Sequence, residues 1–276
     1  LHQAIDLTVR EGDLNASAMH VAMIELVRRS PMRFANAGHV CTGSQLHLVA
    51  NPHRRNLAVL EKTFDDSQRR AAMVENQLVS RGFTDQAVLD AMRKVPRHRF
   101  VPEAWLSRAY SDGPLPIGEG QTISQPYIVA LMTHLARPMS ESTVLEVGSG
   151  SGYQAAVVAE IVDVVYCVEI SHSLAERARH LLVDEVGSGN GHVRCGDGYS
   201  GWAEEAPFDA ILVAAAASHV PDPLIDQLAV GGRMILPVGK FSQTLIQIEK
   251  RSDGSVTQRP VAPVAFVPMT GQVEQS

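Results

Sequence analysis

Hydrophobic and polar positions change rhythm twice along this chain. Residues 1–64 carry one amphipathic stretch, Ala16–Arg29, with Val21, Ile24, Leu26 or Val27 inward, and then no clear period from Pro31 to Asn56. From Phe64 the spacing becomes helical. Asp65, Asp66 and Ser67 offer N-caps to a helix through Ala72, Met73, Asn76, Gln77 and Val79 that ends at Gly82. A second helix is expected from a Thr84 cap through Val88, Leu89 and Met92 to Val95, where Pro96 stops it. A helical turn around Trp105 leads into a Gly/Pro-rich loop over 111–121. The helix Tyr127–Ala136 follows, with Pro126 at its first position. Thr122 and Ser124 then lie at a helix N-terminus, where backbone N–H groups are open to a ligand.

From Thr143 the pattern becomes short apolar runs alternating with helical ones. Strands are expected at 143–147, 164–169, 192–195, 208–213 and 233–238, with helices at 152–162, 172–186 and 221–228. Gly231–Gly232 reads as the turn into the fifth strand, and two further strands, 244–250 and 261–267, end the chain. Alternation of this kind predicts an α/β fold: a doubly wound, mostly parallel sheet with an N-terminal helical part and a C-terminal antiparallel strand pair. The expected organisation is an accessory or flexible extension over 1–64 and one domain over 65–276. Within that domain, 65–137 form a helical cap and substrate-side loop, and 138–276 form the ligand-binding core.

Composition narrows the class. A chain of 276 residues, 45% hydrophobic and 20% charged, has the balance of a soluble globular protein. Net charge is −6, with 7 Lys/Arg against 5 Asp/Glu in 1–64 and 17 against 25 in the remainder. No basic footprint for nucleic acid exists in the body of the chain. No apolar run approaches the ~20 residues that span a bilayer, and no secretory signal pattern opens the chain. Three scattered cysteines, Cys41, Cys167 and Cys195, point to a reducing compartment, with the cytoplasm as the default. His39, Cys41, His47 and His53 fit no zinc spacing, so no metal is expected.

The candidate chemistry centres on Gly148-Ser149-Gly150-Ser151-Gly152, between the first strand and its helix. A dinucleotide fold uses G-x-G-x-x-G; here the third glycine comes one place early and Tyr153 follows. Glu146, two residues before the turn, would repel a pyrophosphate but suits a cationic ligand. Glu169 closes the second strand 21 residues after Gly148, where an acid holds ribose hydroxyls. Asp197 closes the third and can accept from an adenine amino group. Three acids at successive strand ends face the crevice of such a fold and indicate S-adenosylmethionine, which carries positive charge and no phosphate.

Several stretches together closely resemble the protein-L-isoaspartate (D-aspartate) O-methyltransferase family. They are Pro116-Ile117-Gly118, Gln121-Thr122-Ile123-Ser124-x-Pro126, Val144-Leu145-Glu146-Val147-Gly148-Ser149-Gly150-Ser151-Gly152-Tyr153, Phe208–Val213 with Ala215-Ala216, Gly231–Gly239 and Val267-Pro268. The resemblance covers about residues 66–271. It implies a Rossmann-like methyltransferase that transfers the methyl group of S-adenosylmethionine to the carboxylate of L-isoaspartyl residues in aged proteins and peptides, leaving S-adenosylhomocysteine. The ester then closes to a succinimide that can reopen as aspartate. Ser124 is implied as the active-site residue. Ile117, Gly118, Thr122 and Thr270 are implied as cofactor wall, beside Glu146, Gly148, Ser149, Gly150, Glu169, Asp197 and Gly198.

A carboxylate with a pKa near ~4 is already ionised at neutral pH, so attack on the methyl group needs alignment rather than a general base. Ser124 can orient that carboxylate, or can simply cap the following helix. Arg97 and His98 read as surface contacts, His219 as a loop residue near the groove, and Trp105 and Trp202 as packing. Damaged proteins are the expected partners, with neither nucleic acid nor membrane, and a monomer is expected. The competing readings are a methyltransferase of the same fold acting on RNA or a small molecule, and a binding protein that retains the fold without turnover.

Overall fold

The computed structural model describes residues 52–185 and 189–274. Contacts divide the chain into two units, Leu1–Asp66 and Ser67–Ser276, and the sheet and its cleft belong to the second. The amphipathic stretch expected at 16–29, and His39, Cys41 and His47, lie outside the described residues.

The first described helix, α1, runs Pro52–Gln77. It begins well before the caps expected at 65–67, because Pro52 is compatible with a first helical turn and no further proline or glycine interrupts the segment. Gly82 adopts the left-handed conformation that ends this region. Next comes α2, Gln86–Lys94, capped by Asp85, whose carboxylate accepts the Val88 N–H at 3.3 Å. Thr84 sits one place outside that cap. The expected 111–121 loop is instead a hairpin of β1 (Leu115–Gly118) and β2 (Gln121–Ile123), paired Leu115↔Ile123 and Pro116↔Thr122. Leu115 and Ile117 bury alternate positions, so a strand period of two operates beneath the glycines and Pro116. Thr122 is therefore on a strand, and α3, Pro126–Ala136, starts four residues after it with Pro126 in the first turn.

The main sheet has seven strands: β3 (Thr143–Val147), β4 (Val164–Glu169), β5 (Gly191–Cys195), β6 (Phe208–Val213), β7 (Leu228–Val238), β8 (Gln243–Lys250) and β9 (Val256–Val264). Their order is β5-β4-β3-β6-β7-β8-β9. The first five are parallel to one another, and β8 and β9 are antiparallel. The helices between them are α4 (Tyr153–Ala159), α5 (His172–Arg179) and α6 (Asp222–Gln227). Past α5 the expected helix continues as a π turn, His180–Glu185.

Two differences concern β7 and β9. Gly231–Gly232 does not open β7; the strand begins at Leu228 and carries the glycines as a bulge, with Phe208 opposite Leu228 and Ala210 opposite Arg233. The last strand lies five residues before its expected start, so Phe266 and Val267 leave the sheet and run toward the cleft.

Alternate residues of each central strand feed opposite faces. Val144, Val165, Ala210, Leu212 and Ile235 pack with α2, α3, α4 and α5. Leu145, Val147, Val168, Ile211, Val213 and Met234 pack with α6 and the segment around Met269. Burial on both faces explains why these strands read as continuous apolar runs. Each fully buried large side chain contributes about 1.5–3 kcal/mol to the gross stabilisation. Asn190, at the foot of β5, donates its amide to the carbonyls of Ala159 at 3.0 Å and Val162 at 2.7 Å, tying the loop after α4 to the sheet.

Candidate active site

β3 has β4 on one side and β6 on the other, so chain connections leave it in opposite directions. That reversal opens a crevice at the carboxyl ends of the strands. Two bonds prolong the ladders beyond β3: Gly148 N–H donates to Val168 O and Ala214 N–H to Val147 O, both at 2.8 Å. The backbone then turns through Gly148, Gly150 and Gly152 with φ of 82°, 50° and 83°. Side chains rarely adopt this region, which accounts for the glycine spacing.

The crevice is a cleft. The turn and Glu169–Ile170 form one wall, Gln121–Ser124 a second, and Ala214–Ala215 with Val267–Thr270 a third. Of the expected residues, Thr122, Ser124, Glu146, Gly148, Ser149, Gly150, Glu169, Gly198 and Thr270 line it together. Ile117, Gly118 and Asp197 do not. Ile117 is buried behind the turn, its Cδ1 3.4 Å from where a side chain on Gly150 would begin. The hairpin tip beside it is pinned: Glu119 accepts the hydroxyls of Ser171 and Ser173, and Arg177 donates to Ile117 O at 3.1 Å. Asp197 faces backbone instead. Its carboxylate accepts the N–H of Tyr199 at 2.9 Å and of Gln272 at 2.8 Å, clamping the C-terminal segment. Its neighbour Gly198 makes the closest approach of the glycines that line the cleft, since a Cβ there would meet Val147 Cγ1 at 2.4 Å.

The polar groups of the cleft have distinct settings. Glu169, 6% exposed, accepts the Gly150 N–H at 2.8 Å and the Ser171 N–H at 3.0 Å. It therefore braces the turn while it lines the cleft. Ser149 is buried and its hydroxyl has no protein partner, an orphan that a ligand can satisfy. Glu146 is 1% exposed beside the Cys167 thiol, 3.9 Å away. Burial, reinforced by the nearby Glu169, raises its pKa well above the ordinary carboxylate value. A positively charged ligand would act in the opposite direction. The lining holds two acidic side chains and no Lys, Arg or His. Such a site repels phosphate and suits a ligand that combines positive charge, hydroxyls and an apolar face, so the residues fit S-adenosylmethionine.

The raised Glu146 value carries a linkage with a definite sign. The folded state keeps this proton at pH values where the unfolded chain, titrating near ~4.3, has lost it. The stabilisation is complete below that value and is lost as pH rises toward the folded pKa. Glu146→Gln lacks this dependence. Without ligand, its melting temperature is expected to gain on the parent's between pH 5 and 8. A constant difference across that range in a thermal-melt series would contradict a protonated Glu146.

Ser124 precedes the helix rather than capping it. Gln125 holds the cap position of α3 and no side-chain cap bond forms there. The cap-only reading of Ser124 is thereby excluded. Its carbonyl, however, accepts Arg97 Nη2 at 2.7 Å. Arg97 is not the expected surface contact but is fully buried. After Pro96 the chain turns inward as a 3₁₀ segment, and the carbonyls of Ala109 and Ser124 meet the guanidinium. Nothing in the run Arg97-His98-Arg99 distinguishes an inward arginine from an outward one, so sequence reasoning missed it. Ile170 and Gln154 were also missed. Ile170 is 47% exposed at the cleft edge, and only its place directly after Glu169 hints at a ligand-facing apolar group. Gln154 joins α4 to α3 through Thr133 Oγ1 at 2.7 Å.

Comparison with known proteins agrees with this geometry. Residues 68–274 match the family model for protein-L-isoaspartate(D-aspartate) O-methyltransferase. Protein-L-isoaspartate O-methyltransferase 2 of Polaromonas sp. is 59% identical over 190 residues, covering 68% of this chain and 90% of that protein. Its namesake from Syntrophobacter fumaroxidans is 49% identical over 234 residues, covering 84% and 93%. A solved Plasmodium falciparum protein of this kind, in complex with S-adenosyl-L-homocysteine, is 27% identical with a TM-score of 0.64, covering 73% of this chain and 98% of its own. The match extends through the hairpin, the glycine turn and the whole sheet, and on that basis this chain belongs to the protein-L-isoaspartate (D-aspartate) O-methyltransferase family.

Proposed function

We propose that this chain is a repair enzyme that methylates the carboxylate of L-isoaspartyl residues in damaged proteins and peptides, with S-adenosylmethionine as methyl donor. The observation that carries the reading is the cleft at the β3/β6 reversal, lined by two acids and no cation, with Ser124 on its wall. Family membership supports the substrate class.

S-adenosylmethionine, when bound, supplies a methyl group on a positively charged sulfur. The protein supplies position. Glu169 is suited to the ribose hydroxyls, the Gly148–Gly150 backbone and the Ser149 hydroxyl to the amino-acid end, and Ile170 to the adenine face. Ser124 donates to the acceptor carboxylate and fixes which oxygen faces the methyl carbon. That carboxylate is ionised at neutral pH, so no group in the cleft has to remove a proton. Alignment of this kind can contribute about 7–11 kcal/mol of barrier reduction.

The working form is read as a cytoplasmic monomer without a nucleic-acid or membrane partner. Net charge of −6 and an all-acidic cleft support the exclusion of nucleic acid. Among the described residues no helix is long and apolar enough to cross a membrane. Cys167 and Cys195 are free thiols, consistent with a reducing compartment. The edge strand β9 carries Pro260, Pro263 and Arg259, which oppose edge-to-edge pairing between copies.

The test uses labelled S-adenosylmethionine with two peptides that differ only in L-isoaspartate against L-aspartate. Base-labile label on the isoaspartyl peptide alone is the expected result. Label on neither would refute the repair reading, and label on added RNA instead would favour a different acceptor.

A further inference from the structure

Behind Ser124 lies a cation that the cleft does not display. Arg97 is 0% exposed, the largest fully buried side chain among the described residues, and no carboxylate there pairs with it. Its Nε donates to Ala109 O at 2.9 Å and its Nη2 to Ser124 O at 2.7 Å. The guanidinium carbon sits 4.8 Å from the centre of the Tyr153 ring, and Nη1 has no hydrogen-bond partner. Tyr153 itself lines the cleft and opens α4 directly after the glycine turn. Burial lowers the pKa of Arg97 to about 10, so the group remains cationic at neutral pH.

A buried cation without a counter-ion is costly, and well-packed apolar residues of similar volume often replace buried ion pairs at no loss of stability. The charge therefore calls for a use. The cleft poses an electrostatic difficulty that this charge addresses: its carboxyl groups are Glu146 and Glu169 and it displays no cation, yet the acceptor of the proposed reaction is an anion. A cation shielded from solvent is screened little by salt and acts through protein. Arginine also offers a planar fork that grips two carbonyls at once, from the segments on either side of the hairpin.

We propose that Arg97 is the positioning residue for the methyl-accepting carboxylate. It fixes the Ser124 backbone and supplies the positive field that admits an anion to an acidic cleft. The inference rests on the repair reading above.

The test compares the full chain with Arg97→Met and Arg97→Lys. S-adenosylhomocysteine affinity is measured by calorimetry, and kcat and KM are measured on the isoaspartyl peptide. Arg97→Met is expected to fold, to bind S-adenosylhomocysteine within about twofold of the parent, and to lose kcat/KM by on the order of 100-fold, the scale of one preorganised electrostatic contact. Arg97→Lys keeps charge without the fork and is expected to recover at least about tenfold of that loss. Parent-like kcat/KM in Arg97→Met would overturn the proposal, as would parallel loss of turnover and S-adenosylhomocysteine affinity, which marks a merely structural role. If Arg97→Met does not fold, Arg97→Lys decides: raised peptide KM with intact S-adenosylhomocysteine affinity supports the role, and unchanged kinetics refute it. A parent enzyme that labels neither peptide refutes the repair reading itself, and the role of Arg97 with it.

Discussion

Glu169→Ala is expected to weaken S-adenosylhomocysteine binding by about 100-fold. Two effects add. In the proposed complex the carboxylate accepts two ribose hydroxyls, and hydrogen bonds to a charged group contribute about 1.5–3 kcal/mol each. It also holds the Gly150 and Ser171 N–H groups, so its removal loosens the turn and frees the cap of α5. A net loss of about 3 kcal/mol corresponds to roughly 100-fold in affinity. Titration calorimetry on the purified variant reads this directly. Affinity within threefold of the parent would show that Glu169 braces the turn and nothing more.

Ser124→Ala should produce the converse pattern: kcat on the isoaspartyl peptide about 100-fold lower, with S-adenosylhomocysteine affinity within twofold of the parent. Loss of one donor aimed at a developing or transferred charge costs about 10²–10³ in kcat. Helix capping does not confuse the reading, because Gln125 occupies the cap position and a lost cap, about 1 kcal/mol, is not expected in the melt. Intact turnover with weakened S-adenosylhomocysteine binding would move Ser124 from the acceptor side of the cleft to the cofactor side.

The parallel sheet was legible because its strands are buried on both faces, which leaves uninterrupted runs such as Phe208–Val213 between glycine-rich turns. Glu146 was legible for the complementary reason: a lone acid inside such a run, two residues before a glycine turn, has no structural motive to be there. The β1–β2 hairpin was hidden because Pro116, Gly118 and Gly120 signal a loop when read locally, and only the burial of Leu115 and Ile117 against the body of the protein reveals the strand period. Arg97 was hidden more deeply. Its partners are two backbone carbonyls, 12 and 27 residues away, and carbonyls leave no trace in the identity of side chains. Asp197 stands between these cases. Its place at a strand end was visible, but the segment that returns to claim its carboxylate, around Gln272, is 75 residues further on.

The bonding of Asn190 has a consequence for the enzyme's own durability. Asparagine followed by glycine is the pair most open to attack by the next backbone nitrogen on the side-chain carbonyl, since glycine presents no Cβ to obstruct the ring closure. Asn190–Gly191 is such a pair, and the product of that ageing is the lesion this protein is proposed to correct in others. Here the amide is committed to the carbonyls of Ala159 and Val162, and Gly191 is buried as the first residue of β5, opposite Val165. Ring closure at this pair would have to break both side-chain bonds and release the strand end. At its one Asn-Gly pair the fold thus sets two hydrogen bonds and a strand end against the chemical wear that it is proposed to reverse in others.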